Sequence, residues 1–101
     1  MYLGLDFGTS GARACVLDEA GAIAHEDRIA YCDATGQTPE DWREALHNLL
    51  RRLPAPVAAQ LKRIAVDATS GTVLLCDAEL RPVSPALLYH DSRARTQAEA
   101  L

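Results

Sequence analysis

Apolar and polar positions alternate over the first third of the chain, a pattern typical of half-buried β-strands. The pattern predicts strands over Tyr2 to Phe7, Ala12 to Leu17 and Ala22 to about Tyr31. Short turns join these strands, so we expect neighbouring strands to be antiparallel. Charged residues interrupt the third strand, which places it at an edge of the sheet.

A helical period replaces the alternation further along the chain. Thr38 suits the N-cap of a helix and Pro39 its first position. Apolar residues then recur at helical spacing on one face: Trp42, Ala45, Leu46, Leu49, Leu50 and Leu53. Pro54 and Pro56 are expected to end this helix.

The last 40 residues predict further strands and a second helix. Lys62 to Asp67 reads as a fourth strand, which a crossover helix would make parallel to an earlier one. Thr72 to Asp77 predicts a fifth strand, and Arg93 to Leu101 a helix. That helix has no stop signal, so we expect the chain to be a piece of a longer protein.

Composition narrows the class of protein. With 101 residues, 49% of them apolar, the chain has the size of one small domain. A net charge of −4 gives no basic footprint for nucleic acid, and no apolar run reaches the length of a membrane span. The N-terminus lacks a signal-peptide pattern, so we expect a cytoplasmic protein with no membrane partner. Cys15, Cys32 and Cys76 are widely spaced and are interpreted as reduced, mostly buried thiols.

The turn after the first strand carries the clearest chemistry. Asp6 stands near the end of that strand and is followed by Gly8-Thr-Ser-Gly11. Glycines that adopt positive φ let a backbone approach a phosphate, and consecutive N–H groups can form an anion-binding nest. A carboxylate beside such a turn suits Mg²⁺. A plain β-hairpin with a glycine-rich turn is the structural alternative.

Three stretches resemble the FGGY carbohydrate kinases, within the actin/hexokinase/Hsp70 ATPase superfamily. They are Leu5-Asp-Phe-Gly-Thr-Ser-Gly-Ala-Arg13, Ile64-Ala-Val-Asp-Ala-Thr-Ser-Gly-Thr-Val-Leu-Leu-Cys-Asp77 and Pro85-Ala-Leu-Leu-Tyr-His-Asp-Ser-Arg-Ala94. The resemblance implies an α/β, ribonuclease H-like N-terminal half-domain with a mixed five-stranded sheet and flanking helices. Residues 1–101 would form the N-terminal part of kinase domain I.

The resemblance implies ATP and Mg²⁺ as cofactors, with the metal at Asp6. The residues it assigns to ATP and its phosphates are Asp6, Gly8, Thr9, Ser10, Gly11 and Arg13. Arg13 is the weaker candidate, since a solvated charge on the second strand is the alternative.

The second and third stretches imply a sugar site at Thr69, Ser70, Gly71, Tyr89 and Asp91. Small residues at 70 and 71 replace the Arg-Glu pair of glycerol kinases and the Met-His pair of bacterial xylulokinases. The expected substrate is therefore a ketopentose, D-ribulose or D-xylulose, phosphorylated at a terminal hydroxyl. A tight turn without substrate contacts is the alternative for 68–71, and Asp91 would either cap the following helix or bind sugar hydroxyls.

The general base of such a kinase is expected outside this chain, so no catalytic residue is assigned and the chain alone should not turn over. The resemblance implies a homodimer for the full-length enzyme. Two other functions stay open from the sequence: a non-kinase actin- or Hsp70-like ATPase domain, and a non-catalytic α/β interaction domain.

Overall fold

The computed structural model describes residues 1–31 and 38–100. These fall into two units, Met1–Thr69 and Ser70–Leu101. The elements in chain order are β1 (Tyr2–Phe7), β2 (Gly11–Leu17), β3 (Ile23–Ala30), α1 (Pro39–Arg52), α2 (Ala55–Ala58), β4 (Arg63–Ala68) and α3 (Arg95–Glu99).

The first unit is built on a mixed sheet with strand order β3-β2-β1-β4. The strands β1, β2 and β3 are antiparallel neighbours, and β4 is parallel to β1. The predicted edge position of β3 and the parallel return strand are both confirmed. The sheet has four strands over the described residues, so the prediction of five is wrong.

The segment predicted as the fifth strand pairs within the second unit instead. It makes two isolated antiparallel bridges, Val73 with Leu87 and Cys76 with Pro82. Val73 and Cys76 are three positions apart, whereas their partners Leu87 and Pro82 are five apart. The two bridges therefore do not belong to one regular ladder. Pro82 also lacks the N–H that a ladder needs.

Helix α1 begins as its sequence predicts. The Thr38 hydroxyl accepts the Asp41 N–H at 3.2 Å while the Asp41 carboxylate accepts the Thr38 N–H at 2.7 Å, which completes a capping box. The helix packs on β2 and β3 and buries Ala45 and Leu49 against them. Leu50 was expected on the buried face but is 37% exposed.

Alternation along the strands separates two faces of the sheet. The core lies between this sheet and α1. The sheet contributes Leu3, Leu5, Ala12, Ala14 and Val16, and the helix contributes Ala45 and Leu49. The opposite face carries Gly4, Asp6, Arg13 and Cys15, and we call it the open face because no described helix of the first unit covers it. Asp6 on β1 and Arg13 on β2 therefore lie side by side on the face opposite α1.

The structure adds one short helix and shortens another. The short helix α2 was not predicted; Pro54 is its N-cap, and Pro56 fits within it because proline is tolerated in the first turn of a helix. Helix α3 begins at Arg95 rather than Arg93, and its N-cap, Ala94, makes no side-chain capping bond. Asp91 therefore does not cap it.

The cysteines differ in their exposure. Cys15 is partly buried and Cys76 exposed, so the expectation of mostly buried thiols is wrong for Cys76. Cys32 lies outside the described residues. None of the helices in the described part of the chain has the length and apolar character to cross a bilayer.

Candidate functional site

The turn between β1 and β2 is closed by its own hydrogen bond. The Gly8 N–H donates to the Gly11 carbonyl oxygen at 3.0 Å, and the Tyr31 N–H donates to the Ser10 carbonyl oxygen at 3.1 Å. The turn is therefore tied to the end of β3. The Gly8 N–H is already engaged, so a nest for an anion would have to use the N–H groups that follow it.

The glycines of this turn do not adopt the conformation expected of them. Neither Gly8 nor Gly11 has a positive φ. A Cβ on Gly11 would lie 2.2 Å from the Ile29 carbonyl oxygen, whereas one on Gly8 would meet the Gly11 carbonyl oxygen at an ordinary 3.5 Å. Glycine is required at position 11 because the backbone of β3 approaches closely, not because of backbone freedom.

A row of four charged residues crosses the open face. Asp6 is the Cα partner of Arg13 on β2 and of Asp67 on β4, and Arg13 is the partner of Arg28 on β3. Two guanidinium groups thus stand beside two carboxylates, one residue from each strand. These four side chains form no ion pair with one another within 4.0 Å in the described part of the chain.

A groove of about 900 Å³ runs over this face, and all four residues of the row line it. Asp6 and Asp67 are oxygen donors of the kind Mg²⁺ takes from a protein, which supplies a few carboxylates and leaves the other positions to water and phosphate. Across residues 1–31 and 38–100, no group of three or more His, Cys, Asp or Glu residues could hold a metal. Asp6 and Asp67 are thus two candidate carboxylate ligands on neighbouring strands.

Thr69 is at the same end of the sheet as Asp6. Its N–H and its hydroxyl both donate to the Phe7 carbonyl oxygen, at 3.0 and 3.3 Å. These bonds continue the parallel pairing of β1 and β4 by one residue. The hydroxyl hydrogen of Thr69 is thereby used in the fold, which leaves its oxygen as an acceptor.

The second unit brings Gly71 and Tyr89 together. The backbones of Val73 and Leu87 exchange two hydrogen bonds of 2.8 Å, and the chains continue from there to Gly71 and Tyr89. Gly71 has a φ of +78°, and a Cβ on it would lie 3.3 Å from the Tyr89 Cβ. Ser70 is exposed and forms no hydrogen bond that the described residues record. Of the five predicted sugar-site residues, Gly71 and Tyr89 are therefore in contact, and Ser70 precedes Gly71 in the chain.

Asp91 is held by Arg93 rather than by a helix. The Arg93 Nη2 lies 2.7 Å from Asp91 Oδ2, and the Arg93 N–H donates to Asp91 Oδ1 at 2.9 Å. The side-chain bonds from Arg93, with its backbone N–H, lower the pKa of Asp91 from 3.8 to about 2. Tyr89 is exposed, and its ring meets the edge of His90 at 5.1 Å.

Tyr31, Arg28 and Asp67 were missed by reasoning from the sequence. The Tyr31 hydroxyl is buried without a hydrogen-bond partner among the described residues. Burial, with the charges of Asp6 and then Asp41, raises the pKa of Tyr31 above 10.0, so it is a protonated phenol at neutral pH. Arg28 and Asp67 join the site only through strand register, a signal that periodicity along one strand does not carry.

Comparison with known proteins gives a family match over the whole chain. The family model described as "FGGY family of carbohydrate kinases, N-terminal domain" matches residues 1–101. The match covers all three of the motifs considered above.

Individual relatives agree with this match. The chain is 28% identical to the xylulose kinases of Klebsiella pneumoniae and of Escherichia coli K12, and it is covered completely in both alignments. It spans 22% of the length of each. A crystal structure of a xylulose kinase from Brucella ovis superposes with a TM-score of 0.86 at 29% identity, over 98% of this chain and 23% of that one.

Proposed function

Because the chain belongs to the FGGY family of carbohydrate kinases, we propose that it is the N-terminal part of an enzyme that transfers the terminal phosphoryl group of ATP to a sugar. Residues 1–101 would belong to domain I of a ribonuclease H-like fold. The relatives described above are xylulose kinases, which supports a ketopentose as the acceptor. An actin- or Hsp70-like ATPase and an interaction domain are not favoured.

The main support for this proposal is the position of Asp6. Its carboxylate stands on the open face beside the Gly8 to Gly11 turn, with Asp67 on one side and Arg13 on the other. We assign the phosphates of ATP to Asp6, the turn residues Gly8, Thr9, Ser10 and Gly11, and Arg13. Asp6 and Asp67 would hold Mg²⁺, which when bound neutralises charge on the phosphates.

The sugar side of the proposal uses Thr69, Ser70, Gly71, Tyr89 and Asp91. The exposed face of Tyr89 offers an apolar wall to the C–H side of a polyol, and Ser70 has a hydroxyl for a sugar hydroxyl. Asp91 is ionised at neutral pH, since Arg93 lowers its pKa to about 2, so it would accept hydrogen bonds. The small Ser70-Gly71 pair favours D-ribulose first and D-xylulose second.

The phosphate assignment is tested in the intact kinase with Asp6→Ala. Loss of a group that serves the phosphates and metal should lower kcat at least about a hundredfold while the sugar KM changes little. Glu44→Ala, at an exposed position of α1, is the control and should behave as wild type. Unchanged turnover and Mg²⁺ dependence in Asp6→Ala would remove the assignment.

The acceptor is tested by comparing kcat/KM for D-ribulose, D-xylulose, L-ribulose and glycerol. We expect the two D-ketopentoses to be preferred. A clear preference for glycerol or an aldose would overturn the ketopentose assignment. An unchanged D-ribulose KM in Ser70→Ala would remove Ser70 from the site, because losing a hydrogen bond that the bound sugar shields from water costs about 1–3 kcal/mol. The homodimer stays a prediction, to be measured by light scattering.

A further inference from the structure

We propose that Arg28 is a second phosphate-binding arginine, which acts with Arg13 as a paired guanidinium site for the phosphate chain of a nucleotide. The inference rests on the proposed function, in which Arg13 serves the phosphates. Arg28 belongs to none of the three sequence stretches that resemble the family. Its assignment comes from where β3 places it.

Strand register sets Arg28 directly beside Arg13. The two residues are Cα partners in the antiparallel pair of β2 and β3, so their side chains leave the same face of the sheet about 4.5–5.5 Å apart at the backbone. Both are exposed. Together with Ser10 and Gly11 they line a cavity of about 270 Å³ at the phosphate turn. An anion held by that turn would therefore lie within the reach of both guanidinium groups.

Among the described residues, neither arginine of the pair forms a close ion pair on this face, although Asp6 is the strand partner of Arg13. Like charges directly opposite each other destabilise a sheet, and an anion bound between the two guanidinium groups would relieve that repulsion. The acidic side chains of this face are Asp6, Glu26 and Asp67, and none forms an ion pair with Arg13 or Arg28 within 4.0 Å in the described ranges.

Asp27, the residue before Arg28 on β3, does form an ion pair. Asp27 has the opposite parity and points to the helix side of the sheet, where its carboxylate lies 3.5 Å from Arg52 Nη1 of α1. The Asp27 carboxylate therefore contacts Arg52 and, at 2.8 Å, the backbone N–H of Arg28, but forms no ion pair with the Arg28 guanidinium within 4.0 Å in the described ranges. A bound phosphate is the chemistry that satisfies two adjacent guanidinium groups, because each offers a fork of N–H donors to its oxygens.

The order of the row gives the phosphate chain a direction. Going from β3 to β4, the residues are Arg28, Arg13, Asp6 and Asp67. A cation belongs at the carboxylate end and phosphate oxygens at the arginine end. Arg28 thus stands farthest from the cation, where it would hold phosphate oxygens that the cation does not neutralise.

Calorimetric titration of the intact protein with inorganic tripolyphosphate tests the proposal without turnover. Arg28→Gln should weaken binding about 5–20-fold, the size expected for exposed charge-assisted hydrogen bonds, and Arg28→Lys should recover part of the loss. In a double-mutant cycle, Arg13→Gln and Arg28→Gln should not be additive, since one ligand couples them.

Arg63→Gln is the matched control, because Arg63 is also exposed and on the open face but begins β4, at the end away from the turn. It should bind tripolyphosphate as wild type does. Wild-type affinity in Arg28→Gln, or an equal loss in Arg63→Gln, would overturn the role of Arg28.

Failure of the proposed function would be seen separately. If the intact protein phosphorylates none of the sugars, the kinase assignment fails, while the titration still decides whether Arg28 binds phosphate. If Arg13→Gln loses affinity and Arg28→Gln does not, the kinase assignment stands and the role of Arg28 is rejected.

Discussion

Asp6 on β1 and Asp67 on β4 are direct partners in parallel register, so two carboxylates lie side by side on the open face. Asp67 Oδ1 also accepts the Ala68 N–H at 2.9 Å, which fixes that side chain at the strand end. Two adjacent negative charges repel each other, and a cation bound to both of them offsets that repulsion. We therefore expect a cation bound at Asp6 and Asp67 to stabilise the sheet.

Asp67→Asn should stabilise the protein by about 0.2–1 kcal/mol in metal-free buffer, because it removes the repulsion and keeps the acceptor for Ala68. Urea unfolding with and without Mg²⁺ measures this, and Mg²⁺ should stabilise wild type more than the variant. Asp18→Asn is the control, since Asp18 likewise accepts backbone N–H groups, from Ala20 and Ala22. An equal response of wild type and Asp67→Asn to Mg²⁺ would contradict the link.

Gly11→Ala should destabilise the fold by about 1–3 kcal/mol or more, because its Cβ would lie 2.2 Å from the Ile29 carbonyl oxygen and force β2 and β3 apart. Gly8→Ala should change the free energy of unfolding far less, since its Cβ meets only an ordinary 3.5 Å contact. Thermal unfolding of the two variants checks the difference. Equal stabilities would show that the close approach at Gly11 relaxes without cost.

Tyr31→Phe should raise the free energy of unfolding by about 1 kcal/mol, because it removes a buried hydroxyl that has no partner among the described residues. The variant should also change the alkaline limb of the stability curve. The folded state raises the pKa of Tyr31, mainly through burial, so the unfolded state releases that proton first and wild type loses stability as pH rises above about 10. Urea midpoints from pH 8 to 11 should show this loss in wild type and less of it in Tyr31→Phe.

Asp91 should titrate with a midpoint of about 2, measured from its carboxyl carbon by NMR. Its folded pKa lies below the ordinary 3.8, so the stability it contributes is present above that pH and is lost as pH falls toward 2. Arg93→Gln should move the midpoint back toward 3.8, although the Arg93 backbone N–H bond keeps part of the shift. Arg95→Gln, which removes a more distant ion pair with Glu99, should leave the midpoint unchanged.

The sequence by itself determined the elements whose signals are local. Period-two alternation defined β1 and β2, and the Thr38 cap with Pro39 placed the start of α1, because a strand face and a capping box depend on residues a few positions apart. The strand-helix-strand order also predicted that β4 is parallel to an earlier strand, and the structure shows that this strand is β1. Residue identity was enough to point to Asp6 and the turn after it.

Tertiary structure alone decided which residues share the site and why Gly11 is glycine. Arg28 and Asp67 join Asp6 and Arg13 through pairing across three strand interfaces, and one residue of slip would move a side chain to the other face. The close approach of Gly11 to Ile29 likewise depends on how β2 pairs with β3, which places Gly11 opposite Ala30. Register is a property of paired strands, so the pattern along any one of them cannot contain it.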